Sequence, residues 1–166
     1  SFILILAMMR RSQTVQEVRV WANLAAIVER LFPVSTVVLL VTGIWLVTDG
    51  DWSWGDGWIN VSFIGLILIA LVGLLVNTRK VVAIDRAAAD APDGPIPQVL
   101  AAQITDPVLF ATTHALTLGV LAIIWNMTTK PGDAQAGIVF VVAIVIGAAS
   151  AAPMVQRQQA ILERRS

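Results

Sequence analysis

Very few side chains in this sequence could do chemistry, and they are scattered among long apolar runs. There is one histidine, His114, and no cysteine. An imidazole can serve as an axial ligand to haem iron, and an ionisable group deep in lipid is costly enough to suggest a function. The same ring stands near Thr112, Thr113 and Thr117, where a neutral histidine can bond across helices as structural glue. As a cofactor ligand, His114 would imply haem b or a quinone. A lone histidine ligates haem from one side only. A second group comprises Trp52, Trp54 and Trp58, with Trp45 and Trp125 expected near the same level. Indoles anchor at membrane interfaces because they are apolar yet keep an N–H for the headgroup region, and they could also form a quinone or lipid platform. Asp49, Asp51 and Asp56 lie beside them. Their oxygens could gather a hard cation, although aspartate also suits turns. No metal site is expected, since neither His, Cys nor a paired carboxylate at helical spacing supports one.

The elements that hold these residues are two apolar runs around a turn. Leu31–Asp49 and Trp58–Asn77 flank the tryptophan-rich tip, and neither run contains an ionised side chain between its ends. A hydrocarbon core about 30 Å thick needs roughly 20 apolar residues in a helix. Apolar and polar residues do not alternate as barrel strands require, so unpaired backbone in lipid leaves only helices. The expectation is a transmembrane helical hairpin on which the rest of the chain is organised. Apolar residues make up 57% of 166 and charged residues 13%, against about 25% charged in a soluble domain. The net charge of zero supplies no field to recruit nucleic acid.

Around the hairpin, Phe2–Met9 is apolar but too short to span and ends at Arg10 and Arg11. Residues 1–10 read as the end of a truncated first helix; a tag remnant with a short interfacial helix is the alternative. Thr14 and Glu17 have capping-box spacing. Residues 14–30 then form an amphipathic segment whose apolar face is Val15, Val18, Ala22, Ala25 and Val28, with Glu29 and Arg30 among its polar residues. Pro33 either opens a new helix or kinks a continuous one. The second arm stays helical past Arg79 and Lys80 until Pro92–Pro97 breaks it. Asp106-Pro107 restarts a helix, with a carboxylate cap and proline in the first turn. Crossings follow at Pro107–Thr129 and Ala136–Val155, joined by Lys130-Pro131-Gly132-Asp133, and residues 156–166 form a basic tail. Small residues Ala143, Gly147 and Ala151 line the last crossing, as Gly65 and Gly73 do on the hairpin. Such spacing lets helices approach closely, here within the chain.

The fold class is therefore all-α: a polytopic transmembrane helix bundle of four full crossings plus the remnant of an N-terminal helix, with a cytoplasmic amphipathic helix. Ten of the eleven Lys and Arg residues fall on one side of this topology and only Lys130 on the other. The positive-inside rule places the arginine side and the C-terminus in the cytoplasm, with the tight turns facing outward.

Certain of these residues carry a family likeness. Arg30-x-x-Pro33, Thr42-Gly43-Ile44-Trp45, Asp49-Gly50-x-Trp52-Ser53, Trp58 and Lys130-Pro131-Gly132 resemble a bacterial integral-membrane family, domain-of-unknown-function family 2269. The likeness runs from Arg30 to Gly132. It implies a small polytopic protein of the bacterial plasma (inner) membrane, with a first helix carrying a histidine and a tryptophan-glycine pair upstream of the sequence. More distantly, Glu29-Arg30 through Trp45 is similar to copper-resistance membrane proteins and to membrane protoporphyrinogen oxidases of the haem pathway. The oxidases' His-x-Lys pair has no counterpart around Asn60 and Ser62.

The leading expectation is a non-enzymatic accessory or scaffold subunit of a bacterial membrane assembly, with membrane lipids and other membrane protein subunits as partners. The alternative is a haem- or quinone-linked redox protein using His114. A small metal-ion or metabolite transporter is the third, with Thr36, Thr42, His114 and Ser150 as its supply of polar groups inside the membrane.

Overall fold

In the computed structural model, residues 2–50 and 52–153 are described. Asp51, the end of the last expected crossing and the basic tail lie outside the described residues. The described chain is helical: α1 (Phe2–Arg11), α2 (Val15–Asp49), α3 (Gly57–Val72), a π-helical turn (Gly73–Asn77) leading directly into α4 (Thr78–Asp90), α5 (Gln98–Ile104), α6 (Pro107–Thr129) and α7 (Asp133–Ala149). Three stretches, Val15–Asp49, Gly57–Asp90 and Gln98–Thr129, are long and apolar enough to cross a membrane, and Asp133–Ala149 is a shorter apolar helix.

At the arginine end, α1, the first half of α2, α4, α5 and the start of α6 enclose one apolar core. Met9, Val15, Val18, Ala22, Ala25, Val81, Ile84, Ala88 and Leu100 are its most buried members. Thr14 caps α2, its hydroxyl accepting from the Glu17 N–H at 3.4 Å. The Glu17 carboxylate accepts from the Gln13 N–H at 2.8 Å, one residue further back than in the usual reciprocal pair. Arg19 closes the C-terminal end of α4: Nε donates to the Ala88 carbonyl at 3.0 Å, Nη2 to the Ala91 carbonyl at 3.0 Å, and Nη1 to Asp93 at 3.1 Å. These carbonyls lack helix donors, so the guanidinium fork supplies them. The α5 helix was not anticipated from the sequence.

One expectation about this end needs correction, and one open alternative is decided. Val28 is exposed, whereas Ala26 and Glu29 are buried. The buried stripe runs Val15, Val18, Ala22, Ala25, Glu29 and continues as Thr36, a 3-4-3-4 register that carries the carboxyl inward. Pro33 lies inside a continuous helix of 35 residues. Having no N–H, it withholds the usual helix donor from the Glu29 carbonyl.

Away from the arginines, α3, α6 and α7 pack through glycine. A Cβ on Gly147 would lie 2.4 Å from the Ala115 Cα, one on Gly65 2.7 Å from the Phe140 ring, and one on Gly119 2.7 Å from Ile144. The small stripe on α7 is thus turned towards α6 of the same chain. The expected hairpin does not organise this region. Along its membrane portion α2 buries only Thr36 and Val47, touching α3 where Gly43 meets Phe63. Elsewhere Phe32, Ser35, Thr36 and Leu39 border a cavity between α2 and the α3–α6 face.

Candidate functional site

The π turn gathers polar groups that the sequence does not mark. Its extra residue shifts the phase of the helix, so consecutive residues reach different neighbours. Asn77 faces α6: its Oδ1 accepts from Thr112 Oγ1 at 2.5 Å and its Nδ2 donates to Thr113 Oγ1 at 3.2 Å. Thr78 faces α2, its hydroxyl donating to Glu29 Oε2 at 2.7 Å and sharing the Gly73 carbonyl at 3.2 Å. Glu29 is 9% exposed and Asn77 3%. Two hydrogen-bonded groups, one on either side of the turn, therefore tie α2, α4 and α6 together where the arginine-end core gives way to the apolar shaft. Glu29, Asn77, Thr113 and Thr117 also line a chamber of about 120 Å³ whose other walls include Phe2 and Phe32.

Above the chamber, two apolar cavities of about 340 and 200 Å³ continue between α2 and the α3–α6 face. Phe32, Ile69 and Val120 are shared by the chamber and the first cavity, and Gly43, Ser62, Phe63 and Met127 by the two cavities. Trp52, Trp58 and Lys130 wall the far end. There the Lys130 ammonium sits 3.8 Å from the centre of the Trp52 ring, and Trp52 meets Trp58 edge-on at 5.5 Å.

His114 belongs to neither place. Its Nδ1 is 2.9 Å from the Phe110 carbonyl, its ring lies 4.0 Å from that of Phe110, and it is half-buried. The backbone bond fixes the tautomer with the proton on Nδ1 and leaves Nε2 without a hydrogen bond among the described residues. Thr36 and Thr42 each donate to the carbonyl four residues earlier, at 2.9 and 2.8 Å, while Ser150 donates to the Gly147 carbonyl at 2.6 Å. These groups satisfy themselves locally and do not converge. Asp49 and Asp56 stay at the tryptophan end, where Trp52 and Trp54 are exposed. No cluster of three or more His, Cys, Asp or Glu suited to a metal ion occurs among the described residues.

Asp106, just ahead of α6, bonds the Lys80 ammonium and accepts from the Val108 N–H at 2.8 Å. Burial alone raises its carboxyl pKa. The Lys80 ammonium and the N–H groups of Val108 and Leu109 together outweigh that, holding it below the ordinary value.

A family described as predicted integral membrane protein, DUF2269, matches residues 1–131. The chain belongs to that family. Neither a curated protein nor a solved structure matches it. The family assignment agrees with a helical shaft of membrane-spanning length and carries no activity with it. Within this DUF2269 chain, the π-turn cluster is the polar site the fold builds most deliberately. Glu29 could have been found from register alone, because it stands at the next 3-4 step after Ala25.

Proposed function

We propose that this protein is a non-enzymatic accessory or scaffold subunit of a bacterial plasma-membrane assembly, its arginine-rich helical cap in the cytoplasm and its tryptophan tip outside. The polypeptide would cross four times, at Leu31–Asp49, Trp58–Asn77, Pro107–Thr129 and from Ala136 onward. The observation that carries this reading is the uncovered face of α2. Val34, Val38, Val41 and Trp45 are 63, 55, 59 and 65% exposed, and they recur at the 4-3-4 spacing by which one helix seats against another. A helix anchored firmly at one end, with such a stripe left open, suits a partner helix. Photo-crosslinking side chains placed at Val38 and Val41 in native membranes test it. Discrete protein adducts there, with none from Val141 on the open face of α7, are expected. Lipid adducts alone, or a lone monomer purified in mild detergent, would overturn it.

One observation favours a second reading, a haem-linked redox role. With Nδ1 held by the Phe110 carbonyl, His114 is oriented as a ligand imidazole is by its second hydrogen bond. A Soret band in the purified protein that disappears in His114→Ala would support it, and the lack of any such band would end it.

A further inference from the structure

The open stripe on α2 does not stop where the shaft does. Ahead of Leu31 the surface of the helix turns polar, with Gln16, Glu17, Asn23 and Arg30 exposed. The large apolar residues exposed there are Val20, Leu24, Ile27 and Val28. Val20, Leu24, Ile27 and Leu31, at 66, 40, 47 and 60% exposure, keep the 4-3-4 spacing and run in phase into Val34, Val38, Val41 and Trp45. One heptad phase thus holds from Val20 to Trp45, about 38 Å of helix against a hydrocarbon core of roughly 30 Å. Because α2 is continuous through Pro33, its first half projects from the shaft and does not lie along the membrane surface. From Leu31 back to Val20 is about 16 Å at helical rise, whereas the headgroup layer on one side is roughly 5–8 Å deep. With the crossing starting at Leu31, lipid covers the shaft part of the stripe and leaves Val20 and Leu24 in water.

The chain's own cap does not cover them. Val15, Val18, Ala22, Ala25 and Glu29 are the residues α2 buries there, and at 3.6 residues per turn they lie on the opposite side of the helix. An apolar seam at 3-4 spacing takes another helix, and charges flanking the seam ordinarily choose which one. Of the flanking positions 21, 23, 28, 30, 35, 37, 42 and 44, only Arg30 is charged, so nothing there selects a partner of a different sequence. A second copy inserted the same way up offers the same seam, parallel and in register, each layer meeting its own kind about an axis along the membrane normal. In that arrangement Arg30 falls beside Ser35 of the second copy, and no like charges meet.

We propose that the stripe from Val20 to Trp45 is the seam of a homo-oligomer, in which α2 of one copy packs parallel against α2 of a second. This rests on the subunit reading and names the occupant of its open face.

The chain has no cysteine, so single cysteines report the seam cleanly. Two differently tagged forms of the full chain are co-expressed, and their native membranes are treated with a short bismaleimide. Val20→Cys, Leu24→Cys and Ile27→Cys should each link one tag to the other in most of the chain, at twice the monomer mass. Val99→Cys on α5, where Val99 is 72% exposed, should not. Ile27→Glu sets like charges in one layer and should abolish the link at Leu24→Cys; pairing an Ile27→Glu form with an Ile27→Lys form should restore it. If Ile27→Glu fails to fold, the comparison of the three seam cysteines with Val99→Cys still decides. Links at the seam no stronger than at Val99, or an undiminished link in folded Ile27→Glu, would overturn the proposal. If the photo-crosslinker at Val38 then captures a different protein, the subunit role survives without the second copy, whereas lipid adducts alone end both.

Discussion

Two glycines on one helix give the sharpest test of how the shaft is held together. Gly137 and Gly147 both lie in α7. A Cβ on Gly137 meets nothing within 4 Å, whereas one on Gly147 would fall 2.4 Å from the Ala115 Cα, 2.6 Å from the Ala115 nitrogen and 2.7 Å from the His114 carbonyl oxygen. Ordinary contact begins at 3.4 Å, so Gly147→Ala forces α6 and α7 apart locally by about 1 Å, a gap that forfeits a quarter to a half of each dispersion well. All three atoms belong to the α6 backbone, and no flexible side chain can yield. Overpacking of this kind costs typically 1–3 kcal/mol, and a backbone obstacle places it near the upper end. Replacing a helical glycine by alanine gains up to about 1 kcal/mol, leaving a net loss of about 2 kcal/mol at Gly147. At Gly137 only the gain remains, so the two variants should differ by about 3 kcal/mol. Reversible unfolding in mixed micelles, followed by far-ultraviolet circular dichroism, measures both. Ala115→Gly should not rescue Gly147→Ala, because the clash is with backbone. If Gly147→Ala proves as stable as the parent, close approach of α6 and α7 is not what holds the shaft.

Four further outcomes follow from other contacts. Asn77→Leu removes two hydrogen bonds, taking the donor from Thr113 Oγ1 while Thr112 keeps the Val108 carbonyl at 2.8 Å, and should cost about 1–2 kcal/mol. Asn126→Leu should change stability by less than about 1 kcal/mol, because Asn126 makes one long bond, 3.4 Å to the Ala136 carbonyl, and its buried Oδ1 has no partner; parallel unfolding curves check the pair. Asp106 has a folded pKa below its ordinary 3.8. The stability it contributes is therefore present above that value and lost as pH falls through the folded one, so Asp106→Asn should flatten the acid limb of a stability–pH curve. Arg19→Lys cannot reproduce the fork on Ala88 and Ala91, and faster hydrogen exchange at the end of α4 should report the loosened cap.

How much of this was legible in the sequence depended on the scale of the signal. Apolar length announced the long helices, Asp106-Pro107 announced the start of α6, and Lys130-Pro131-Gly132 announced its end, with Lys130 at a φ of 49°. Those are local signals, decided by the residues that carry them. The packing of the hairpin was misread because the two arms adjoin in sequence, and adjacency says nothing about whether Val and Leu can interlock. Glu29 was placed on the wet face by its chemical type, although its register pointed inward. The π turn left only faint traces, a glycine at Gly73 and an asparagine at Asn77. In the sequence Arg19 is only one more polar residue of segment 14–30, and the fold reveals the carbonyls it serves. His114, the most conspicuous residue in the sequence, lies within α6 and bonds only its own helix.

These differences have a common physical origin, which is that one chain is folded by two solvents. At the arginine end, Met9, Val18, Ile84 and Leu100 are withdrawn from water as in any soluble core, and area buried is the driving force. Along the shaft lipid is as apolar as leucine, so burial gains little and close approach decides the packing. Glycine at 65, 119 and 147 marks that regime, and α2, which meets α3 where Gly43 faces Phe63, is otherwise left at a distance. The polar cluster of Glu29, Asn77, Thr78, Thr112 and Thr113 stands at the boundary between the two. There Phe32 of α2 and Leu116 of α6 approach Gly73 of the π turn, and hydrogen bonds through that turn tie α2, α4 and α6 together.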